Sequence, residues 1–286
     1  MNDSNKAWKG IGTFLVLTFA LSSPFYIISP KTGETALPLV FAPMLAALIT
    51  RYIYQRNVRD LGWKLMKTED QPRWWHWDNT RYLALSYALP LVIGALVYGL
   101  TWAFVSGSFS TEDSASDILL SFLSASTVMV LFLAVLHTGE EVGWRGFLLP
   151  ELTRRTGFLA ASVITGLIWA VWHYPLIFFA PDVFDFGGLP LYFAVPMFTL
   201  VLIPVSVVFG WLRMKTGSVW PAVILHASHS SFTLSFFNDM TSQAGSAPYI
   251  VGEVGIGLLV IWGVVALACW RFYSKSPTVS TQASAA

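Results

Sequence analysis

The sequence predicts an all-α membrane protein, a polytopic bundle of about eight transmembrane helices with both termini in the cytoplasm. Three observations lead there. Of 286 residues, 55% are hydrophobic and only 12% are charged, where soluble domains carry about 25% charged residues. The apolar residues gather into stretches long enough to cross about 30 Å of hydrocarbon at about 1.5 Å per residue. All but one of the 17 Lys and Arg fall on alternate loops or ends, the pattern left when positive residues stay in the cytoplasm.

The stretches lie near 10–29, 37–54, 82–105, 118–138, 158–180, 190–211, 217–237 and 250–272. The first has a longer apolar run than a signal peptide and only a weak cleavage site at Ala20–Ser22, so it is expected to be a retained helix. The fourth is expected to stay helical to about Arg155. Arg51, Arg56, Arg59, Lys64, Lys67, Arg73 and Arg81 separate the second stretch from the third. Arg145, Arg154 and Arg155 follow the fourth, and Arg213 and Lys215 follow the sixth. Lys6 and Lys9 precede the first and Arg271 and Lys275 close the last, leaving only Lys31 on the other face with eight acidic residues. An odd number of spans would break this alternation.

Residues 1–275 therefore read as a single transmembrane bundle whose first partner is the lipid bilayer. The segment "QPRWWHWDN" (Gln71–Asn79) reads as an interfacial anchor on the cytoplasmic leaflet. The Ser/Thr/Ala-rich 276–286 is expected to be a disordered tail. The net charge of +1 gives no electrostatic footprint for nucleic acid. The lone cysteine, Cys269, excludes an intrachain disulfide and reads as a small buried residue.

Few ionisable residues remain inside the apolar stretches: His137, Glu140, Glu141 and Arg145 in the fourth, His173 in the fifth, His226 and His229 in the seventh. Each buried charge costs at least about 2.5–3.5 kcal/mol, so the groups are expected to face one another inside the bundle. Measured from Arg154, Arg155 and Lys215, Glu140, His173 and His226 lie roughly 21, 27 and 17 Å along their helices, at broadly similar depth.

His137, Glu141 and Arg145 fall at i, i+4 and i+8 and line one stripe. Glu141 and Arg145 are expected to neutralise each other. Glu140 sits about 100° round the helix, turned toward His173 and His226. Gly139, Gly143 and Gly146 suit close helix approach. Pro175 should bend the fifth helix beside His173. His137 and His229 read first as interhelical hydrogen-bonding groups.

The order of these residues resembles the CPBP family of intramembrane proteases, which includes type II CAAX prenyl endopeptidases and bacteriocin-processing or immunity proteins. "EEVGWRG" (Glu140–Gly146) matches the Glu-Glu…Arg motif, Trp169 and His173 the second motif with Trp in place of the usual Phe, and His226 the third. Ser230 stands where the third motif has Asn. The resemblance covers about 135–232. It implies that Glu140 and His173 activate a water and that His226, with Ser230 in the Asn position, holds the oxyanion. Glu141, Arg145 and His229 support them, His229 as a candidate stand-in for the Asn.

Peptide hydrolysis needs such a base and such donors, and a dry site strengthens both. Water must still reach the site, so a polar cavity opening toward the cytoplasm is expected. Glu140, His173 and His226 with an open position would also suit zinc, and the spacing leaves metal-assisted and Glu/His-only hydrolysis both open. The expected protein is an integral, multi-pass endopeptidase of a prokaryotic plasma membrane that cuts a membrane-associated or lipidated peptide. A non-catalytic immunity or scaffold protein and a transporter with a Glu/His relay are the rival readings.

Overall fold

The computed structural model describes residues 3–32, 37–64, 77–180, 183, 186–243 and 245–274. Most of the Trp-rich loop segment, 71–76, and the tail 276–286 lie outside them. The long apolar stretches form helices because a backbone in lipid must satisfy its own hydrogen bonds. They are α1 (Asp3–Thr32), α2 (Ala42–Gln55, entered through a 3-10 turn at Leu37–Phe41) and α3 (Trp77–Phe104). Then follow α4 (Ala115–Thr156), α5 (Phe158–Phe179), α6 (Leu191–Thr216), α7 (220–239), the single turn α8 (Ala247–Ile250) and α9 (Ile256–Ser274). Among the described residues the only β-pairing is one bridge between Phe109 and Thr241. The protein is an integral, multi-pass helical membrane protein.

Local chemistry sets the helix ends. Ser114 and Asp117 form a capping box that starts α4. Gly157, at φ +79°, turns the chain from α4 into α5 within one residue, and Gly217, at φ +71°, ends α6.

Seven helices among the described residues are long and apolar enough to span a membrane, where the sequence suggests eight. The difference lies in α7, whose regular α-helix stops at Ser228 and widens into a π turn over His229–Phe236. That turn carries the chain's polar run, and its neighbours take up the polar groups. Ser231 donates to the Ala125 carbonyl at 2.7 Å, and Tyr98 donates to the Thr233 carbonyl at 2.7 Å. Helix α4 also widens twice, at Ala125–Met129 and Val142–Leu148. The second of these begins immediately after Glu141.

The helix ends sort into two faces. At one, Arg155 lies over the Trp8 ring, and Phe158 stacks on Tyr273 with ring centroids 4.2 Å apart. The start of α1, the α4–α5 turn and the end of α9 therefore share one face. Buried Glu151 ties α2 to it through Gln55 at 3.3 Å and pairs with Arg155 at 3.1 Å. This is the face of the basic residues. At the other, Ser110 and Ser242 exchange backbone hydrogen bonds with Met240 and Ser108.

Helix α4 is pressed against the 37–43 segment. A Cβ on Gly139 would run into the Val40 carbonyl, and one on Gly143 into the Pro43 backbone. The obstacles are backbone and, at Pro43, the proline ring as well, neither of which can rotate away. Gly143→Ala is expected to destabilise the protein by about 1–3 kcal/mol in denaturant or thermal unfolding in detergent. Gly12→Ala, with no atom within 4 Å of the new carbon, should unfold like the unaltered protein.

Candidate active site

The site begins with the sequence "HTGEE" at the last α-helical turn of α4 before the π turn. Glu140 and Glu141 are consecutive, so the helix sends them in different directions, about 100° apart. Glu141 is fully buried and accepts from Arg145 Nη1 at 2.9 Å. The guanidinium is also fully buried, 4.3 Å from the Trp169 ring centre and 4.6 Å from that of Phe209. Its charge is thus matched by one carboxylate and two π faces. The same Glu141 oxygen lies 3.0 Å from Nδ1 of His226, so a helix α4 carboxylate also orients a helix α7 imidazole.

Glu140 points into a cavity of about 200 Å³ that Glu141 does not line. Its Oε2 accepts from the Trp169 indole at 2.8 Å. Trp169 also offers its backbone carbonyl to Nδ1 of His173 at 2.8 Å, one helical turn on. A carbonyl can only accept, so Nδ1 carries the proton and, in the neutral ring, Nε2 is the basic nitrogen. One tryptophan therefore fixes both the carboxylate and the imidazole tautomer.

The structure brings Glu140, His173, His226, Ser230 and His229 to this one cavity. It adds His137, which also makes the interhelical hydrogen bond expected of it, to Ser230 on α7. The His137 ring stacks on His226 at 3.5 Å, with 10° between the ring planes. Its Nε2 is 3.1 Å from Ser230 Oγ, and its Nδ1, otherwise without a hydrogen bond, is 3.7 Å from Glu140 Oε1. The i, i+3 spacing to Glu140 was the available signal. The i, i+4 stripe pointed instead to Glu141. His229 lines the same cavity, its ring 5.5 Å from that of Trp262.

The metal-capable set changes accordingly. Among the described residues the donor atoms within 4.8 Å of one another belong to His137, Glu140 and His226. His173 is outside this set, with one nitrogen committed to the Trp169 carbonyl.

The cavity also reaches Val40, Leu234 and Glu253, at the end of the bundle away from the basic residues. Burial, with the Glu140 charge adding to it, pushes the Glu253 carboxyl up to about 7.

Two comparisons with known proteins bear on the chain. The family model "Rce1-like: Type II CAAX prenyl endopeptidase Rce1-like" matches residues 120–232. The curated CAAX prenyl protease 2 of Methanococcus maripaludis is 33% identical over 155 residues, 53% of this chain and 54% of that protein. Over residues 120–232 the chain is similar to type II CAAX prenyl endopeptidases. The match spans about half the length of that relative. The segment that the family model matches holds Glu140, Glu141, Arg145, His173, His226 and Ser230, and His137 as well. Val40 and Glu253, at the far end of the cavity, lie outside it.

Arg145→Met keeps the bulk and removes the charge, leaving Glu141 buried without its cation. A loss of about 3–5 kcal/mol, read as a lower midpoint of detergent-phase unfolding, is the expected result.

Proposed function

We propose that the protein is an intramembrane endopeptidase that hydrolyses a peptide bond of a membrane-associated or lipidated protein, in the plasma membrane of a prokaryotic cell. The observation that supports this most is the Trp169 bracket, which holds a carboxylate and a basic imidazole nitrogen at one cavity. The printed name of the Methanococcus relative, a CAAX prenyl protease, points the same way.

In this reading water adds to the scissile carbonyl carbon while its proton passes to the Glu140–His173 pair. The carbonyl oxygen becomes an oxyanion. Collapse of the tetrahedral intermediate breaks the C–N bond, and the same pair returns the proton to the leaving amine. His226 and Ser230 serve the oxyanion. With Nδ1–H toward the Glu141 carboxylate, His226 donates through Nε2 only in its doubly protonated form. With His137 Nε2–H donating to Ser230 Oγ, the serine's own proton is free to turn to the cavity. His137 and Ser230 together then occupy the role of the family's Asn.

A second reading rests on the same side chains. His137, Glu140 and His226 could hold a divalent metal such as zinc, and a carboxylate on the far nitrogen of a ligand histidine, as Glu141 stands to His226, is the usual outer support of such a ligand. When bound there, the metal would polarise the carbonyl and lower the pKa of a bound water.

The test is cleavage of a membrane-linked peptide by purified protein in liposomes. Glu140→Gln should lower the rate by about 100–10,000-fold, and Ser230→Ala less than Glu140→Gln, with partial recovery in Ser230→Asn. Cleavage by Glu140→Gln at the unaltered rate would remove the assignment. Stoichiometric metal in the purified protein, lost in His137→Ala, would select the second reading.

A further inference from the structure

A separate cavity of about 330 Å³ lies at the basic face, between the start of α1, the end of α2 and the last turns of α4. It shares no lining residue with the Glu140 cavity. Its charge is unbalanced. Lys6, Arg154 and Arg155 line it with a single carboxylate, that of buried Glu151. That carboxylate is already heavily shared. It pairs with Arg154, lies 3.1 Å from Arg155 Nη1, accepts from Gln55 Nε2 at 3.3 Å and has Arg51 Nη2 at 4.0 Å. Lys6 makes no ion pair among the described residues. Thr50, also in the lining, has a buried hydroxyl without a hydrogen-bond partner. An anion placed among these groups would meet unspent positive charge and charged donors.

Two observations say what carries the anion. The first is depth. Trp8 and Tyr52 are exposed on α1 and α2 beside the cavity, and Arg155 lies over the Trp8 ring. Exposed aromatic side chains at helix ends mark the membrane–water interface, the level of lipid head groups. The second is what adjoins the cavity. An open groove of about 380 Å³ shares Tyr54 with it and runs along α1 past Gly12, Val16 and Leu17. Lys6 to Val16 is roughly 15 Å of helix rise, so the groove descends from the basic face into the hydrocarbon. The Thr13 and Tyr54 hydroxyls satisfy each other at the junction, 3.0 Å apart. Gly12 leaves the groove free, because a Cβ there would meet no atom within 4 Å. A basic pocket that continues into an apolar groove has the shape and polarity of a phospholipid.

We propose that these two spaces bind one anionic phospholipid, its phosphate received by Lys6, Arg154 and Arg155 and one acyl chain laid along α1 over Gly12. Basic pockets between transmembrane helices suit phosphate head groups in this way, and an arginine fork can hold two phosphate oxygens at once. The bound lipid would join α1 and α2 to α4, the helix that carries Glu140, Glu141 and Arg145, and so stabilise the folded bundle by mass action. The site stands whether or not the protein cuts peptides.

The test is thermal unfolding of the full chain, purified in detergent and stripped of lipid, with added phosphatidylglycerol, phosphatidylcholine or inorganic phosphate. Phosphatidylglycerol should raise the unfolding midpoint as its concentration rises, and the other two should leave it in place. Lys6→Gln with Arg154→Gln, both at exposed positions, should weaken the apparent phosphatidylglycerol affinity about 30-fold. Gly12→Leu fills the groove without meeting another atom at its Cβ and should abolish the response, which a site for free phosphate would keep. Lys31→Gln removes a charge at the other end of α1 and should respond in full. Four results would overturn the proposal. They are no response to phosphatidylglycerol, an equal response to phosphatidylcholine, a full response to inorganic phosphate alone, and an undiminished phosphatidylglycerol response in either the double variant or Gly12→Leu.

Discussion

A carboxylate and a guanidinium, both fully buried and 2.9 Å apart, sit one helical turn from the centre of the site. An isolated charge in such a place costs several kcal/mol even after relaxation. Together, with the Trp169 and Phe209 faces against Arg145, they form a group that can stay ionised. The rest of the site is hung on that pair. Glu141 reaches across to His226, Trp169 covers the guanidinium while holding Glu140 and His173, and Arg213 closes the backbone beneath. Four helices are brought to one point by one salt bridge and one indole.

This arrangement separates two carboxylates that are adjacent in sequence. Glu141 is consumed by packing and orientation, while Glu140 keeps one oxygen toward the cavity and His137. In the proposed chemistry that separation matters, because a base must be free to exchange its proton and a structural anion must not. The stacked His137–His226 pair adds polar capacity at the same point. It serves either an oxyanion or a metal, and those two uses differ in which nitrogens carry protons.

Much of this was legible in the sequence. Apolar length placed the spans to within a few residues for most helices, since nothing but helix satisfies a backbone in lipid. The i, i+4 spacing pointed to the Glu141–Arg145 pair. Three features were not legible. The π turns of α4 and α7 follow from how neighbouring helices take up polar groups, such as Ser231 on the Ala125 carbonyl, and hydropathy has no term for that. His137 makes the expected interhelical hydrogen bond, to Ser230, but its approach to Glu140 was not legible, because i+3 and i+4 neighbours are nearly equivalent on a helix. The cavity's reach to Val40 and Glu253 was the third, because both are distant in sequence from the motifs. The Trp-rich segment 71–76 falls outside the described residues.

The central claim is the division of labour between Glu140 and Glu141, and it is tested most directly by unfolding Glu140→Gln and Glu141→Gln side by side in the same detergent. Glu141→Gln strands Arg145 and His226, and the account predicts a loss of about 3–5 kcal/mol. Glu140→Gln still has the Trp169 indole to accept from and should unfold within about 0.5 kcal/mol of the unaltered protein, the scale of substitutions that leave packing intact. Equal destabilisation by the two substitutions, or a stable Glu141→Gln beside an unstable Glu140→Gln, would contradict it.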